Sequence, residues 1–180
     1  MRIVSGIARG KKLCTPQGLE VRPTIDRVKE AVFSSLQFDI EGRRILDLFA
    51  GSGQLGLEAL SRGAKHCNFV DSSNFSIASI QENIKNCGFN ENSTVNFCDS
   101  FQFLKNTDLE FDIAFLDPPY DLGLIDKAMP ELVSKMSDSG IIVCEHTDKG
   151  VLQESYGCFK KQKTKRYGKV YVTFYRKLED

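Results

Sequence analysis

The sequence predicts an α/β fold with a mostly parallel, doubly wound sheet that is closed by an antiparallel hairpin. Three observations support this prediction. Apolar runs alternate with helical patterns between residues 42 and 140, and such alternation is typical of a parallel sheet with helices on both faces. The first apolar run ends in a glycine-rich turn at residues 51–56. The segment Val170–Arg176 alternates in the way that an antiparallel strand does.

An N-terminal extension, residues 1–40, precedes a core at residues 41–180, and we expect both to belong to a single domain. The first part of the extension, Arg2–Leu13, mixes short β-type pieces with glycines and predicts a small hairpin. Thr24 is then expected to cap a helix whose apolar residues repeat at near-helical spacing. Those residues are Ile25, Val28, Val32 and Leu36. We therefore expect this helix to bury one face against the core.

The core elements are predicted from the order of apolar runs and turn residues. Strands are expected at Ile45–Phe49, His66–Val70, Thr94–Cys98, Asp112–Leu116 and Ile141–Glu145. Helices between them are expected near residues 54–62, 74–87, 100–106 and 123–136. Two alternating segments, Tyr156–Arg166 and Val170–Arg176, predict the closing hairpin. In such a sheet, ligands bind beyond the carboxyl ends of the parallel strands.

Charge is distributed unevenly, although the 180-residue chain has a net charge of zero. Residues 1–19 carry +4 and residues 159–178 carry +8, neither with an acidic side chain, whereas residues 21–158 carry −9. A charged run is often only a solvated face of a protein. Two basic ends around an acidic core nevertheless favour a polyanionic partner, and nucleic acid is the one we expect.

Composition argues against several classes of protein. Hydrophobic residues make up 41% of the chain, which is enough for a globular core. No apolar run approaches the length of a membrane span, and the first residues lack the apolar block of a signal peptide, so we expect a cytoplasmic protein without membrane association. The six cysteines are scattered without a C-x-x-C pair, so we expect no bound metal and no disulfide framework.

The glycine-rich turn predicts a ligand site at the start of a helix. Gly51, Gly53 and Gly56 allow the backbone to approach a ligand closely, and a side chain on Gly53 is expected to block that approach. Asp47 lies four residues before the first glycine, inside an otherwise apolar strand. A carboxylate there would repel a pyrophosphate but suits a sulfonium or ammonium group. The pattern therefore favours a cationic ligand over a dinucleotide.

Two further aspartates follow predicted strand ends. Asp71 comes 18 residues after Gly53, near the spacing at which an acid accepts hydrogen bonds from ribose hydroxyls. Asp99 follows the third strand, where its carboxylate could accept from an adenine amino group beside Phe101. Either aspartate could instead cap the helix that follows it. The glycine turn makes ligand binding the better interpretation for Asp71 and leaves both interpretations open for Asp99.

The most specific stretch of the chain is Asp117-Pro118-Pro119-Tyr120. Its prolines stiffen the loop and lack N–H donors, so carbonyl groups remain available to a substrate amine. Asp117 and the Pro118 carbonyl could accept the two hydrogens of an exocyclic amine while Tyr120 stacks against the base. Acceptors on those hydrogens raise the electron density on nitrogen and hold it toward an electrophilic methyl group. The stretch therefore predicts methylation of an amino group on a base.

These motifs resemble those of a known class of enzymes. Residues 47–53 are similar to motif I of class I S-adenosylmethionine-dependent methyltransferases, and residues 117–120 to their Asp/Asn/Ser-Pro-Pro-Tyr/Phe motif, which marks methylation of amino groups. The N-terminal segments resemble the RsmD family of bacterial 16S rRNA guanine-N2 methyltransferases, and the resemblance covers essentially the whole chain. Those segments are Arg2–Gly6, Arg9–Lys11 and Arg22–Glu30. Gln54 departs from the pattern, because a small residue or threonine is expected there.

The resemblance implies a Rossmann-like class I methyltransferase fold, S-adenosyl-L-methionine as cofactor, and methyl transfer to N2 of a guanine of the guanosine 966 type in 16S rRNA. The implied cofactor-binding residues are Asp47, Phe49, Ala50, Gly51, Ser52, Gly53, Asp71, Ser72, Asp99, Ser100 and Thr24. The implied catalytic residues are Asp117, Pro118, Pro119 and Tyr120. The residues expected to contact RNA phosphates are Arg2, Arg9, Lys11, Arg22, Lys163, Lys165 and Arg166. Because a paired helix hides the guanine edge, the base must be presented in a loop or flipped out.

Other functions stay open at this point. The same proline motif occurs in DNA adenine-N6 methyltransferases, and other amino groups are conceivable targets. A nicotinamide-dependent oxidoreductase would use the glycine turn and Asp71 but would give Asp47 and the proline motif no role. A non-catalytic RNA-binding module would not need the intact motifs. The expected partner is 16S rRNA or the assembling small ribosomal subunit, and the protein is expected to be a monomer.

Overall fold

A computed structural model of the chain describes residues 1–15, 23–119, 123–147 and 152–177, apart from the side chains of residues 23–25. Its helices are α1 (Pro23–Ser35), α2 (Gln54–Ser61), α3 (Asn74–Cys87), α4 (Ser100–Asn106) and α5 (Leu124–Leu132). Its strands are β1 (Arg44–Leu48), β2 (His66–Asp71), β3 (Ser93–Phe97), β4 (Phe111–Leu116), β5 (Met136–Thr147), β6 (Ser155–Tyr156), β7 (Phe159–Tyr167) and β8 (Val170–Lys177). Short 3-10 turns occupy Asn90–Asn92 and Val133–Lys135. Of the helices in these ranges, none has both the length and the apolar character needed to cross a bilayer.

The strands form one sheet in the order β3-β2-β1-β4-β5-β8-β7-β6. Strands β1 to β5 are parallel, and the remaining pairs are antiparallel. The chain leaves β3 at one edge and returns beside β1 as β4, so the strand order reverses between β1 and β4. Ligand sites of open α/β sheets lie outside the carboxyl ends of the strands at such a point. The predicted fold class is confirmed.

Helices cover both faces of the sheet. On one face α1, α2 and α3 bury apolar side chains against the strands, and Phe33 of α1 lies 5.5 Å from Phe115 of β4 between ring centroids. On the other face α4 and α5 contribute Leu104, Met129 and Leu132 to a second core. All six residues of β4 are buried. A strand covered on both sides needs a continuous apolar run, and for this reason the central strands could be predicted from the sequence.

Three predictions of element bounds are wrong, and one of them is the strand segment Tyr156–Arg166, which a turn at residues 157–158 divides into β6 and β7. Thr24 does not precede the first helix, because α1 already begins at Pro23, and proline suits the first helical position since its missing N–H would have no partner there. The helix predicted up to residue 136 ends at Leu132, and β5 begins at Met136. Pro130 lacks the N–H that would bond within the helix, which favours an early end. Because residues 137–139 are polar, the first part of β5 was not predicted as a strand.

The N-terminal extension folds back on itself as the hairpin prediction expects, but with little strand structure. Arg2 and Lys12 form an isolated antiparallel bridge. The N–H of Ile3 donates to the carbonyl of Lys11 at 2.9 Å, and the N–H of Leu13 donates to the carbonyl of Met1 at 3.1 Å. We call residues 1–15 the N-terminal arm. Its two ends come together, which places Met1 beside the residues that follow Leu13.

Candidate active site

A cavity of about 640 Å³ opens at the carboxyl ends of β1, β2, β3 and β4, a volume within the range of small-molecule sites. Most of the predicted cofactor and catalytic residues line it. They are Asp47, Phe49, Ala50, Gly51, Ser52, Asp71, Ser72, Asp99, Ser100, Asp117, Pro118 and Pro119. Gly53 is absent from the lining of this cavity, as far as the described residues define it. The Thr24 side chain, Tyr120 and Arg22 lie outside the described part of the chain.

The turn after β1 depends on backbone conformations that favour glycine. Phe49, Gly51 and Gly53 have φ angles of 73°, 58° and 74°. A Cβ atom on Gly51 would meet nothing within 4 Å, whereas one on Gly53 would lie 3.2 Å from Phe69 Cε1 and 3.4 Å from Ile80 Cγ1, in the core. The expectation that a side chain on Gly53 would enter the ligand's space is therefore wrong. Gly51 is the glycine that leaves open space in the turn.

The third glycine of the motif has a packing role. A Cβ atom on Gly56 would lie 2.4 Å from Phe69 Cε1 and 2.5 Å from Cys67 Sγ. Both neighbours are buried on β2, so Gly56 allows α2 to lie directly against that strand. The motif therefore combines one glycine with open space around it and two that let the turn and helix pack.

Asp47 connects β1 to the start of α2. Its side chain is buried, and its Oδ2 accepts a hydrogen bond of 2.9 Å from the Gly56 N–H. Burial raises the pKa of Asp47 to about 7, the Gly56 bond opposes this change, and the nearby Asp71 carboxylate adds to it. A buried carboxylate of this kind is expensive to ionise without a cation nearby. The site thus favours a ligand with a positively charged group.

Asp71 and Asp99 hold backbone groups around the cavity. Asp71 Oδ2 accepts from the Gly51 N–H at 2.8 Å, and its Oδ1 accepts from the Ser73 N–H at 2.8 Å. Each carboxylate oxygen retains a further acceptor site. Asp99 Oδ1 accepts from the N–H of Phe101 at 2.9 Å and from the next N–H at 3.0 Å, so Asp99 caps α4. Its other oxygen has no hydrogen bond within the described residues, and capping leaves it available to a ligand.

Asp117 follows β4, so the sheet order places Asp99, Asp71, Asp47 and Asp117 in a row along the cavity. Burial raises the pKa of Asp117 well above its usual value, and the carboxylates of Glu145 and Asp47 raise it further. Glu145 lies on β5, one residue beyond the pair that Cys144 makes with β4. It was missed from sequence, although an acid that ends an apolar run is the same signal that singled out the other four.

The N-terminal arm supplies a wall of the cavity that sequence reasoning also missed. Met1 and Thr15 line the cavity, and Ser52 Oγ lies 3.2 Å from Met1 Sδ. Asn83 of α3 is fully buried and holds this wall in place. Its Nδ2 donates to the carbonyls of Cys14 and Ser52, both at 2.9 Å, and its Oδ1 accepts from the Cys14 N–H at 2.7 Å. The available signal was Asn83 itself, at helical spacing from the apolar residues Ile80 and Ile84 on the buried face of α3.

A buried acid on α2 anchors the same arm. Glu58 is fully buried and accepts from the N–H groups of Val4 and Ser5 at 2.8 and 3.0 Å. Arg62 Nε donates to it at 2.8 Å, and Lys29 Nζ lies 3.8 Å away. Burial lowers the pKa of Lys29, and the Glu58 carboxylate opposes this change. Glu58 therefore has a cationic partner and satisfied oxygens, as a buried charge requires.

The predicted RNA-contacting residues fall in two separate places. Arg9 and Lys11 are exposed on the N-terminal arm, whose tip bonds to Ser61 through the N–H groups of Ile7 and Ala8 at 2.8 and 3.0 Å. Ser61 ends α2, a helix about 12 Å long that starts at the cavity. The structure therefore places the tip of the arm away from the cavity. Arg2 lies nearer the start of the arm, with its Nε 4.0 Å from Asp26.

The basic residues of β7 approach the cavity end of the sheet. Lys163 Nζ lies 4.6 Å from the Phe174 ring centroid, and Lys165 Nζ donates to Ser35 Oγ at 3.2 Å. Arg166 lies opposite β8, which in turn pairs with the end of β5 beside Glu145. The structure thus brings Lys165 and Arg166 to the sheet end that carries the cavity and leaves Arg9 at the other.

The fold and the cavity define the class of protein as one with the Rossmann-like class I methyltransferase fold. The chain resembles the solved structure of yhhF from Escherichia coli, provisionally titled a methyltransferase, with a TM-score of 0.89 and 31% identity over 100% of this chain and 99% of that one. It also resembles the 16S rRNA N2 G1207 methyltransferase RsmC of T. thermophilus, solved with AdoMet and guanosine. That likeness has a TM-score of 0.73 and 22% identity over 90% of this chain and 45% of that one, and it shows the fold alone.

The family follows from closer relatives. A family described as Conserved hypothetical protein 95 matches residues 1–176. YlbH of Bacillus subtilis (strain 168), provisionally named an rRNA methyltransferase, is 37% identical over 98% of this chain and 99% of its own length. Ribosomal RNA small subunit methyltransferase D of Escherichia coli (strain K12) is 34% identical over 81% of this chain and 71% of its own length. The chain belongs to this family, which is the one predicted from its motifs.

Proposed function

We propose that this protein is an S-adenosylmethionine-dependent methyltransferase that methylates the exocyclic N2 of a guanine in 16S rRNA. One observation carries the proposal. A single cavity joins the glycine turn and three strand-end aspartates to Asp117-Pro118-Pro119. A methyltransferase needs this juxtaposition, because its methyl donor and the amine that accepts the methyl must meet in one space. The family membership supports ribosomal RNA as the substrate class.

The residues of the cavity fit the cofactor. The glycine turn, with open space at Gly51, and the buried Asp47 suit the methionine portion and its positive charges. Asp71 offers acceptor sites to ribose hydroxyls, and Asp99 offers one to the adenine amino group. Phe49 and Phe101 meet edge to face with centroids 6.3 Å apart and form an apolar wall, which suits a flat heteroaromatic ring. When bound, the cofactor supplies an electrophilic methyl group on sulfonium sulfur.

Asp117 and the two prolines after it hold the accepting amine, and we call residues 117–119 the proline loop. The Asp117 carboxylate and the Pro118 carbonyl accept the two hydrogens of guanine N2, which fixes the nitrogen and raises its electron density. Methylation leaves an extra proton on that nitrogen, and Asp117 is placed to take it. A carboxylate whose pKa is raised by burial and by two neighbouring acids is a better proton acceptor than an ordinary aspartate. Neither a covalent enzyme intermediate nor a metal is part of this proposal.

The test is methylation of small-subunit ribosomal RNA by the purified protein. Unmodified 16S rRNA and assembling small subunits would be incubated with S-adenosylmethionine, and the nucleosides analysed by mass spectrometry. The expected product is N2-methylguanosine, with turnover reduced about a hundredfold or more in Asp117→Ala. Asp108→Ala, which removes an exposed aspartate after α4, serves as the matched control and should retain activity.

Each other outcome points to a specific alternative. A methyl group on adenine N6 would replace the guanine assignment with adenine methylation. Cofactor binding without a methylated product from either substrate would favour a non-catalytic RNA-binding module. Binding of nicotinamide dinucleotides in place of S-adenosylmethionine would contradict the cofactor assignment. A fully active Asp117→Ala variant would remove the proline loop from the mechanism.

A further inference from the structure

Three planar side chains stand in a row on neighbouring strands at the cavity end of the sheet. Arg166 of β7 lies opposite Tyr171 of β8, and Tyr171 lies opposite His146 of β5. The rings of His146 and Tyr171 are stacked, with centroids 5.6 Å apart and planes 21° from parallel. The guanidinium carbon of Arg166 lies 5.5 Å from the Tyr171 ring centroid. We call these three side chains the planar stack.

Hydrogen bonds fix the inner end of the planar stack. His146 Nδ1 donates to the Thr147 carbonyl at 3.0 Å, because a carbonyl can only accept. In the neutral ring, Nε2 then accepts from the Thr173 hydroxyl at 2.8 Å, and Thr173 lies 2.9 Å from the Thr164 hydroxyl. Both ring nitrogens are therefore engaged in holding the ring. His146 is built to present a fixed flat surface, which is not what a mobile acid or base requires.

The planar stack begins beside the proline loop. Leu116 at the end of β4 pairs with Cys144 of β5, so Pro118, in the loop after β4, and His146, on β5, each lie two residues beyond this pair. From there the stack extends outward across β8 to β7. The planar stack is therefore within reach of a nucleotide chain that has one base at the proline loop.

The outer end of the planar stack is cationic and exposed. Arg166 Nε donates to the Gly168 carbonyl at 2.9 Å, which orients the guanidinium. Its two terminal nitrogens have no hydrogen bond within the described residues. Beyond Lys160, β7 has no strand on its outer side within the described residues, and lysines on such an open edge are commonly explained as protection against aggregation. That explanation accounts for the charges of β7 but not for an oriented guanidinium over the ring of Tyr171, which is itself stacked on the ring of His146.

We propose that the planar stack binds an unpaired RNA nucleotide adjacent to the methylated base, and this inference rests on the proposed function. Extruding a guanine leaves its neighbour without a stacking partner. The planar stack would replace that partner, with the base against the Arg166 guanidinium and the following phosphate on its terminal nitrogens. Proteins recognise unpaired bases by stacking on aromatic rings and on arginine planes. The ligand is thus single-stranded RNA held by its base faces as well as by its charge.

The experiment separates stacking from charge. Binding of a fluorescein-labelled single-stranded RNA would be measured by anisotropy across a salt series for Arg166→Lys, Arg166→Ala and Tyr171→Ala. Arg166→Lys keeps the charge but loses the plane, so affinity should fall about tenfold with an unchanged salt dependence. Tyr171→Ala should behave in the same way, and Tyr171→Phe should recover the affinity that Tyr171→Ala loses. Arg166→Ala should also flatten the salt dependence.

A matched control and a cross-linking experiment complete the test. Lys160→Ala removes one charge from the opposite end of β7, outside the proposed contact, and should leave both the RNA affinity and its salt dependence nearly unchanged. In the wild-type protein, RNA carrying the photoreactive base 4-thiouridine should cross-link to residues 165–171, the segment that carries Arg166 and Tyr171, and this result needs no variant to fold. Wild-type affinity in Arg166→Lys, or cross-links confined to other residues, would overturn the proposal. Because these measurements need no methyl transfer, their failure is distinguishable from failure of the proposed function.

Discussion

At the scale of a single residue, Asp47 links the stability of the fold to its ligand. Its pKa is raised from 3.8 to about 7 by burial, so the folded protein keeps this proton to a higher pH than the unfolded chain does. The folded state therefore binds more protons between these values, and the Asp47 contribution makes stability fall as pH rises from about 4 to about 7. A cationic ligand would reverse this penalty by stabilising the ionised carboxylate.

Replacing Asp47 should separate stability from binding. Asp47→Asn keeps an acceptor for the Gly56 N–H but has no charge to bury, so the free energy of unfolding at pH 8 should rise by roughly 1 to 3 kcal/mol. Affinity for S-adenosylmethionine should fall about tenfold or more, because the neutral amide no longer attracts the positive charges. Thermal unfolding at pH 5 and pH 8 and titration calorimetry measure the two effects. Asp108→Asn is the control, and a variant that lost both stability and affinity would contradict the interpretation.

Glu145 should set the pH dependence of catalysis through Asp117. The proposed role requires ionised Asp117, so kcat/KM should rise with pH through the raised pKa of this group. Glu145→Gln removes a negative charge that raises this pKa, so the rise should move to lower pH. Steady-state kinetics between pH 5 and pH 9 would show the displacement. An unmoved profile in Glu145→Gln would mean that another group controls it, and Asp117→Asn should show little activity at any pH.

At the scale of secondary structure, the sequence predicted the strands that helices cover on both faces. The runs of β1, β2 and β4 are apolar because helices cover both faces, and their aspartates stand out at the strand ends. The beginning of β5 was not predictable in this way, since Ser137 and Asp138 lie in a strand without an apolar pattern. Asn83 was missed because its partners, Cys14 and Ser52, are distant in sequence, and periodicity reports only which face is buried.

The N-terminal arm should contribute to cofactor affinity through its attachment to α3. Asn83→Ala removes three hydrogen bonds that join the arm and the glycine turn, so stability should fall by about 1 to 3 kcal/mol. Affinity for S-adenosylmethionine should fall as well, because Met1 and Thr15 would no longer be held at the cavity. Thermal unfolding and calorimetry are the measurements. Asn92→Ala removes one exposed bond to Lys65 and is the control, and unchanged cofactor affinity in Asn83→Ala would show that the arm is not part of the site.

At the scale of the whole molecule, the neutral net charge conceals two basic regions with different positions. The N-terminal arm extends along α2, whereas β7 reaches the cavity end of the sheet. The sequence predicts both regions as basic, because the charge of a segment can be counted from its own residues. Only the strand order shows that the end of β7, and not the tip of the arm, lies at the same end of the sheet as the cavity.

Reversing charge on β7 should therefore weaken RNA binding. The triple change of Lys163, Lys165 and Arg166 to glutamate should lower RNA affinity strongly at low salt, with a smaller difference at high salt, while cofactor affinity remains nearly intact. Lys85→Glu, an exposed change on α3, is the control. Filter binding over a range of salt concentrations provides the measurement. RNA binding that responded to neither salt nor these changes would contradict the electrostatic argument.

The attachment of the N-terminal arm also fixes when the cavity can exist during synthesis. The Val4 N–H bonds to Glu58, 54 residues later, and the Cys14 N–H bonds to Asn83, 69 residues later. The N-terminal arm leaves the ribosome before α2 and α3, so it has none of these partners until those helices have been translated. Long-range closures of this kind form late and slowly. A growing chain consequently passes through a stage with an exposed arm and an open cavity, and it gains a complete cofactor pocket only after the arm has met α2 and α3, which are made later.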